Sequence, residues 1–106
     1  MKWELKQHRE GEWRHYVLYL DGEEVSSARW APVCGDSVEI HNVLSRSSKS
    51  VVVKARQIFN ATIRSEIISA GYSRIIAVFP LDTQAPKAMR YLGLMGFEFF
   101  CGLMEA

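Results

Sequence analysis

Glu39 and His41 stand two residues apart in Val38-Glu39-Ile40-His41-Asn42-Val43-Leu44, a stretch that reads as a β-strand. Residues two apart on a strand share a face. A carboxylate and an imidazole are thereby set side by side, a pairing that takes or hands on a proton near neutral pH. Exposed strand faces also carry Glu and His as solvated residues, and that plainer reading stands beside the chemical one. Immediately afterwards, Arg46-Ser47-Ser48-Lys49-Ser50 places two cations and three hydroxyls where the apolar period changes to a helical one. A helix N-terminus presents unpaired amides and the positive end of the helix dipole, so this combination suits a phosphate. Lys54, Arg56 and Arg64 continue the basic run, with no acid between Ile40 and Ser65. They read as a solvated helix face.

The other reactive side chains carry less. His8, His15 and His41 with Cys34 and Cys101 show no Cys-x-x-Cys or His-x-x-x-His spacing, so no metal is expected. Two cysteines cannot build a disulfide framework, and a reducing, cytoplasmic setting follows. Cys101, in an aromatic-rich strand, reads as a small core residue. Trp3, Trp13, Trp30, Tyr16 and Tyr19 could stack on bases. The same strands hold as many acids as bases, so no nucleic-acid partner is expected.

The elements that must position these residues can be read from period and punctuation. Trp3 to Lys6 alternates as a short strand. Trp13 to Leu20 sets Tyr16, Leu18 and Leu20 opposite His15, Val17 and Tyr19. Asp21-Gly22 supplies the positive-φ pair of a tight hairpin, and Glu24 to Trp30 returns antiparallel. Pro32, Gly35 and Asp36 make a loop before the Val38–Leu44 strand. From Ser50 onward, Val52, Ala55, Phe59, Ile63 and Ile67 recur at helical spacing, with Ile58 beside them and Gly71 as the stop. Arg74 to Pro80 is apolar without alternation, which predicts a central strand covered on both faces. A second helix, about Gln84 to Met95, presents Ala85, Ala88, Met89, Leu92 and Met95 on one side. Gly96 ends it, and Phe97 to Met104 closes the chain as a strand. The order is β-β-β-β-α-β-α-β, an α+β protein.

Size and composition agree. The 106 residues have room for one core, so residues 1–106 are expected to form a single domain. Hydrophobic residues are 48% and charged residues 24%, ordinary globular values that exclude disorder. A net charge of +1 gives no field to draw the protein to nucleic acid or membrane. The longest apolar run, Ile75 to Leu81, falls far short of the roughly 20 residues of a membrane span. Met1 to Lys6 has no apolar signal-peptide core.

The segment from Val38 to Phe100 resembles the GNAT superfamily of N-acyltransferases. Its strand, long helix, buried strand, shorter helix and Gly-Phe-led strand follow that family's core order. The most specific piece is Ala88-Met89-Arg90-Tyr91-Leu92-Gly93-Leu94-Met95-Gly96-Phe97. The resemblance implies a minimal GNAT-like fold and an acyl-CoA-dependent N-acetyltransferase, with acetyl-CoA as donor and an amine or protein as acceptor. It implies that the amides of Asn42, Val43 and Leu44 hold the donor's pantetheine arm, where the two parallel strands splay. Arg46, Ser47, Ser48, Lys49 and Ser50 would receive pyrophosphate, and Glu39 or His41 would take the amine proton. Two departures stand out. Lys49 and Val51 occupy places where the family's phosphate turn has small residues, and only His8 to Glu12 is available for the usual acceptor-roofing helices. The family's acidic tyrosine position is Leu92 here, and its neighbour Tyr91 points elsewhere and is expected to pack. These departures support an alternative: a catalytically silent GNAT-like interaction or virion protein of phage or mobile-element origin, found in host cytoplasm or virion. Trp3, Trp13, Trp30 and Tyr16 are expected to lie on a thinly covered face, closed by a homodimer or larger assembly.

Overall fold

The hairpin signals set the first half of the fold. Strand β1 (Trp3–Glu10) pairs antiparallel with β2 (Trp13–Leu20), which pairs with β3 (Glu23–Pro32). Asp21 and Gly22 both take positive φ, at 51° and 84°, as the two-residue turn between β2 and β3 requires. Strand β4 (Ser37–Leu44) adds antiparallel to β3, and β5 (Arg74–Val78) adds parallel to β4. The computed structural model describes residues 1–46, 48–78, 85–94, 98–100 and 103–105. Two short strands, β6 (Glu98–Phe100) and β7 (Leu103–Glu105), complete a seven-stranded sheet in the order β1-β2-β3-β4-β5-β7-β6.

Three sequence expectations shift. β1 runs to Glu10, so His8 to Glu10 are strand and only Gly11 and Glu12 turn the chain. Their polarity hid them, because β1 is an edge strand and edge strands carry polar residues. The closing segment holds two short strands instead of one, and the later of them, β7, sits against β5. Ile76 is only half-buried, so β5 is interior by pairing yet fully covered only on its Ile75 and Ala77 face. Phe79, Pro80, Gln84, Met95, Gly96 and Phe97 lie outside the described residues.

The long helix comes in three pieces: α1 (Lys49–Ile58), a π-helical turn (Phe59–Ile63) and α2 (Arg64–Ser69). Val51, Ala55, Phe59, Ile63 and Ile67 are its buried residues. Val51 takes the place expected for Val52. All four steps are of four residues, and an ideal α-helix drifts about 40° at each such step. The π turn lets the helix lag, so the stripe keeps facing the sheet. Arg64 donates to the Phe59 carbonyl five residues back, which marks that turn. A Schellman cap then ends the helix: Gly71, at φ 98°, donates to Ile68, and Tyr72 donates to Ile67.

The core lies between this helix and one face of the sheet. Tyr16, Trp30, Val38, Ile40, Ile75 and Ala77 meet Phe59, Ile63 and Ile67, with Leu92 of α3 (Ala85–Leu94) on the same side. Tyr16 and Trp30 are each 2% exposed, so they fill the core and are not interface residues. Trp3 packs on a second cluster with Leu18, Leu20, Val25 and Val51. Trp30 Nε1 donates to the Tyr16 hydroxyl at 2.9 Å, and that hydroxyl donates to Glu66 of α2. Burial first, and then the Glu66 carboxylate, push the Tyr16 phenol up to about 12.

The sheet's other face, which carries Trp13, His15, Val17, Tyr19, Arg29, Glu39, His41 and Val43, has no described helix packed on it. Trp13 is half-buried there, and Val43 is 59% exposed.

Candidate functional site

The site is organised around the far end of the described β4–β5 ladder, where the expected fork would lie. Among the described residues their parallel ladder runs from Ser37–Arg74 to Ile40–Ala77, while β4 continues to Leu44. Beyond Ile40, β4 pairs only with β3 among the described residues. The start of the ladder is pinned by Asp36, whose carbonyl accepts from Ser73 and Arg74 and whose carboxylate accepts from the Ser73 hydroxyl. That last bond holds the Asp36 carboxyl below its ordinary value.

Glu39 and His41 project to the uncovered face at this end of the ladder. Glu39 Oε1 lies 2.6 Å from His41 Nε2, both side chains being 32% exposed. A carboxylate only accepts, so the shared proton sits on Nε2 and Nδ1 of a neutral ring is left as a base. Trp13 meets the imidazole edge-on at 5.5 Å, and Arg29 lies over the Trp13 ring at 4.6 Å. The two sequence candidates are thus brought together and oriented by a third residue. Trp13 gave no signal of that part, because it comes from another strand.

Asn42, Val43 and Leu44 continue β4 past the last described ladder pair. The Val43 carbonyl accepts from the Ser26 hydroxyl at 3.3 Å. The Asn42 side chain turns inward, where its amide nitrogen is buried and unpaired beside a cavity of about 20 Å³. Tyr91 lines the same cavity and bonds Ser26, and burial raises its phenol. Its place is in the packing, as expected.

The expected phosphate loop is assembled differently. A β-bulge in β3 opposite Leu18 and Tyr19 leaves Val25 unpaired in the ladder and drops its side chain into the core beneath Val51. The Val25 carbonyl then accepts from both Ser45 and Arg46, at 2.9 and 3.3 Å. The Arg46 guanidinium reaches back to Glu23 at 2.6 Å. Ser48 is the N-cap, but its hydroxyl lies 3.3 Å from that of Ser50 and does not cap the helix. With neither a side-chain cap nor an acid in the first turn, the N-terminal end of α1 suits an anion. Lys49 and Ser50 line a groove of about 550 Å³ with Trp3 and Lys54. Ser47 lies outside the described residues. Sequence reading missed both Glu23 and the Val25 carbonyl, since a bulge leaves no periodic signal.

No family model and no curated protein matches the chain. Solved structures do. Aminoglycoside acetyltransferase AAC(6')-Ib in complex with coenzyme A and kanamycin aligns with 90% of this chain at 14% identity and a TM-score of 0.64. The GNAT domain of S. lividans PAT aligns with 89% at 15% identity and 0.60. The Campylobacter jejuni N-acetyltransferase PseH aligns with 91% at 14% identity and 0.56. This chain spans 58%, 66% and 67% of the PAT, AAC(6')-Ib and PseH structures respectively. The chain has the GNAT fold, in a minimal α+β form whose β1 and β2 are joined by a two-residue turn.

Proposed function

We propose that the protein is an acyl-CoA-dependent N-acetyltransferase acting on an amine. The observation that carries this reading is an imidazole–carboxylate pair beside the last described pair of the parallel ladder, Ile40–Ala77, with an uncapped helix N-terminus beyond. Acetyl-CoA, when bound, supplies an acyl group already activated as a thioester. The chain's residues do the rest. Backbone amides of Asn42 to Leu44 hold the donor along the free edge of β4, while α1 amides and Lys49 receive its phosphates. His41 Nδ1 would take the proton that the amine sheds as it attacks, the thioester C–S bond would break, and the departing thiolate would take up a proton from water, while Glu39 fixes the ring and balances the imidazolium. The test is calorimetry with acetyl-CoA, followed by thiol release with a panel of amines. Saturable binding plus amine-dependent release supports the reading, and a folded protein without binding overturns it.

A second reading rests on a specific observation. Arg46 is held by Glu23, and the Ser45 and Arg46 amides are held by Val25, so part of the expected phosphate turn is satisfied within the chain. In that reading the protein is a silent GNAT-like module, of phage or mobile-element origin. Its uncovered sheet face, with Trp13 and Val43, meets a protein partner or a second copy.

A further inference from the structure

We infer that His8, Glu10 and His15 form a site for one late first-row divalent cation such as Zn²⁺ on the β1–β2 hairpin. The register sets His8 directly opposite His15, and Glu10 lies two residues along β1 on the same face. Gly11, at φ 60°, closes the hairpin beside them. The two imidazoles stack with centroids 4.5 Å apart and planes within 9°, and His15 Nε2 lies 3.7 Å from Glu10 Oε2. One donor atom from each of the three residues lies within 4.8 Å of the others. Two imidazoles and a carboxylate are the donor set preferred by Zn²⁺ and its neighbours over Mg²⁺ or Ca²⁺.

Metal–nitrogen distances of about 2.0–2.1 Å place tetrahedral ligand atoms roughly 3.3 Å apart. The donors must therefore draw together by about 1.5 Å at most. His8 and Glu10 are exposed and can rotate without disturbing the core, while the ladder holds the Cα positions. The His8 ring stacks on His15 and, among the described residues, forms no side-chain hydrogen bond or ion pair that must be broken to turn it. Two cations share this face: Lys6, two residues before His8 on β1, which pairs with Glu4 at 3.6 Å and lies over the Tyr19 ring, and Arg29, opposite His15 on β3. The Arg29 guanidinium is drawn over Trp13 instead. The three ligands leave one position for water, and the cation clasps the edge strand β1 to β2.

Spacing along the chain hides this site. His8 and His15 are seven apart, which on a helix would set them two turns, about 10 Å, from each other, too far to share a metal. Pairing across a hairpin makes them neighbours. The expectation of no metal, argued from linear spacing, is replaced by this proposal.

The experiment is calorimetric titration of untagged protein with ZnCl₂, with imidazole NMR shifts followed in parallel. One equivalent bound in the micromolar range is expected, shifting the rings of His8 and His15. His8→Ala and His15→Ala should each weaken binding at least about tenfold, and Glu10→Gln by less. His41→Ala should leave it unchanged. The proposal is overturned by the absence of saturable binding, by unchanged affinity in His8→Ala, or by loss of binding in His41→Ala. If His15→Ala fails to fold, the exposed His8 variant decides alone.

Discussion

The two ends of the candidate site differ in how far they are committed to the rest of the protein. At the end where proton transfer is proposed, Glu39 and His41 bond, among the described residues, only to each other and to the Trp13 edge, on a face with no described cover. At the anion end, an arginine and two amides are already bonded to Glu23 and Val25 of β3. In the proposed reading the dyad, about one-third exposed, is free to meet a substrate. In the same reading, a loop tied to its own sheet must exchange existing bonds for new ones to receive a phosphate. The difference teaches that the fold alone does not decide activity: catalysis and donor capture can be gained or lost separately on it.

The strongest way to break the comparison is at the dyad. His41→Ala should lower amine acetylation roughly 10²-fold or more, with acetyl-CoA affinity unchanged. Glu39→Gln keeps the shape but removes the charge that balances the imidazolium, so a smaller loss in kcat is expected. Wild-type turnover in His41→Ala would show that the base lies elsewhere.

The scaffold beneath the dyad comes next. Tyr16→Phe strands the Glu66 carboxylate and the Trp30 N–H, a loss of about 1–3 kcal/mol by urea denaturation. Burial of Tyr16, and then the same bond, give an alkaline limb. The Tyr16 phenol is at about 12 when folded against an ordinary 10, so the unfolded chain loses its proton first. Stability is therefore full below pH 10 and falls as the pH rises through 12. Tyr16→Phe should flatten that fall, and an unchanged alkaline limb would assign it to other groups.

How much of this was readable follows from what each feature depends on. The Asp21-Gly22 turn, the Gly71 cap and the shared face of Glu39 and His41 are local, so residue type and spacing were enough. The helix stripe was read nearly right. Its unbroken four-residue steps were a legible sign of a π turn, and taking Val52 for Val51 followed from missing it. The Val25 bulge, the Glu23–Arg46 pair and the His8–His15 stack all depend on register between strands. Register is set by the whole sheet and does not appear in any single segment.

Lys49→Glu sharpens the anion end by setting two effects against each other. An acid in the first turn complements the helix dipole, worth about 0.3–1 kcal/mol, so the fold should hold or gain. An anion arriving at the same amides meets repulsion, and CoA affinity should fall roughly tenfold. Equal CoA affinity in a well-folded Lys49→Glu protein would move the phosphates away from this helix.

The smallest expected effect is also the most direct measure of how tied down the loop is. Glu23 and Arg46 form an exposed ion pair, with side chains 65% and 42% accessible. Such pairs contribute little to stability, so Glu23→Ala should barely move the melting temperature. It does release the guanidinium at the edge of the phosphate turn and removes a negative charge from beside it. CoA affinity should then rise by roughly two- to fivefold, the equivalent of the pair's own weak strength. The gain should shrink at high salt, because both the lost pair and the new contact are screened. If Glu23→Ala leaves affinity unchanged while Lys49→Glu lowers it, Arg46 takes no part and the helix N-terminus binds the phosphates alone. If both are without effect, the tied loop marks a fold that has given up its donor, and the uncovered face around Trp13 becomes the surface to probe for a partner.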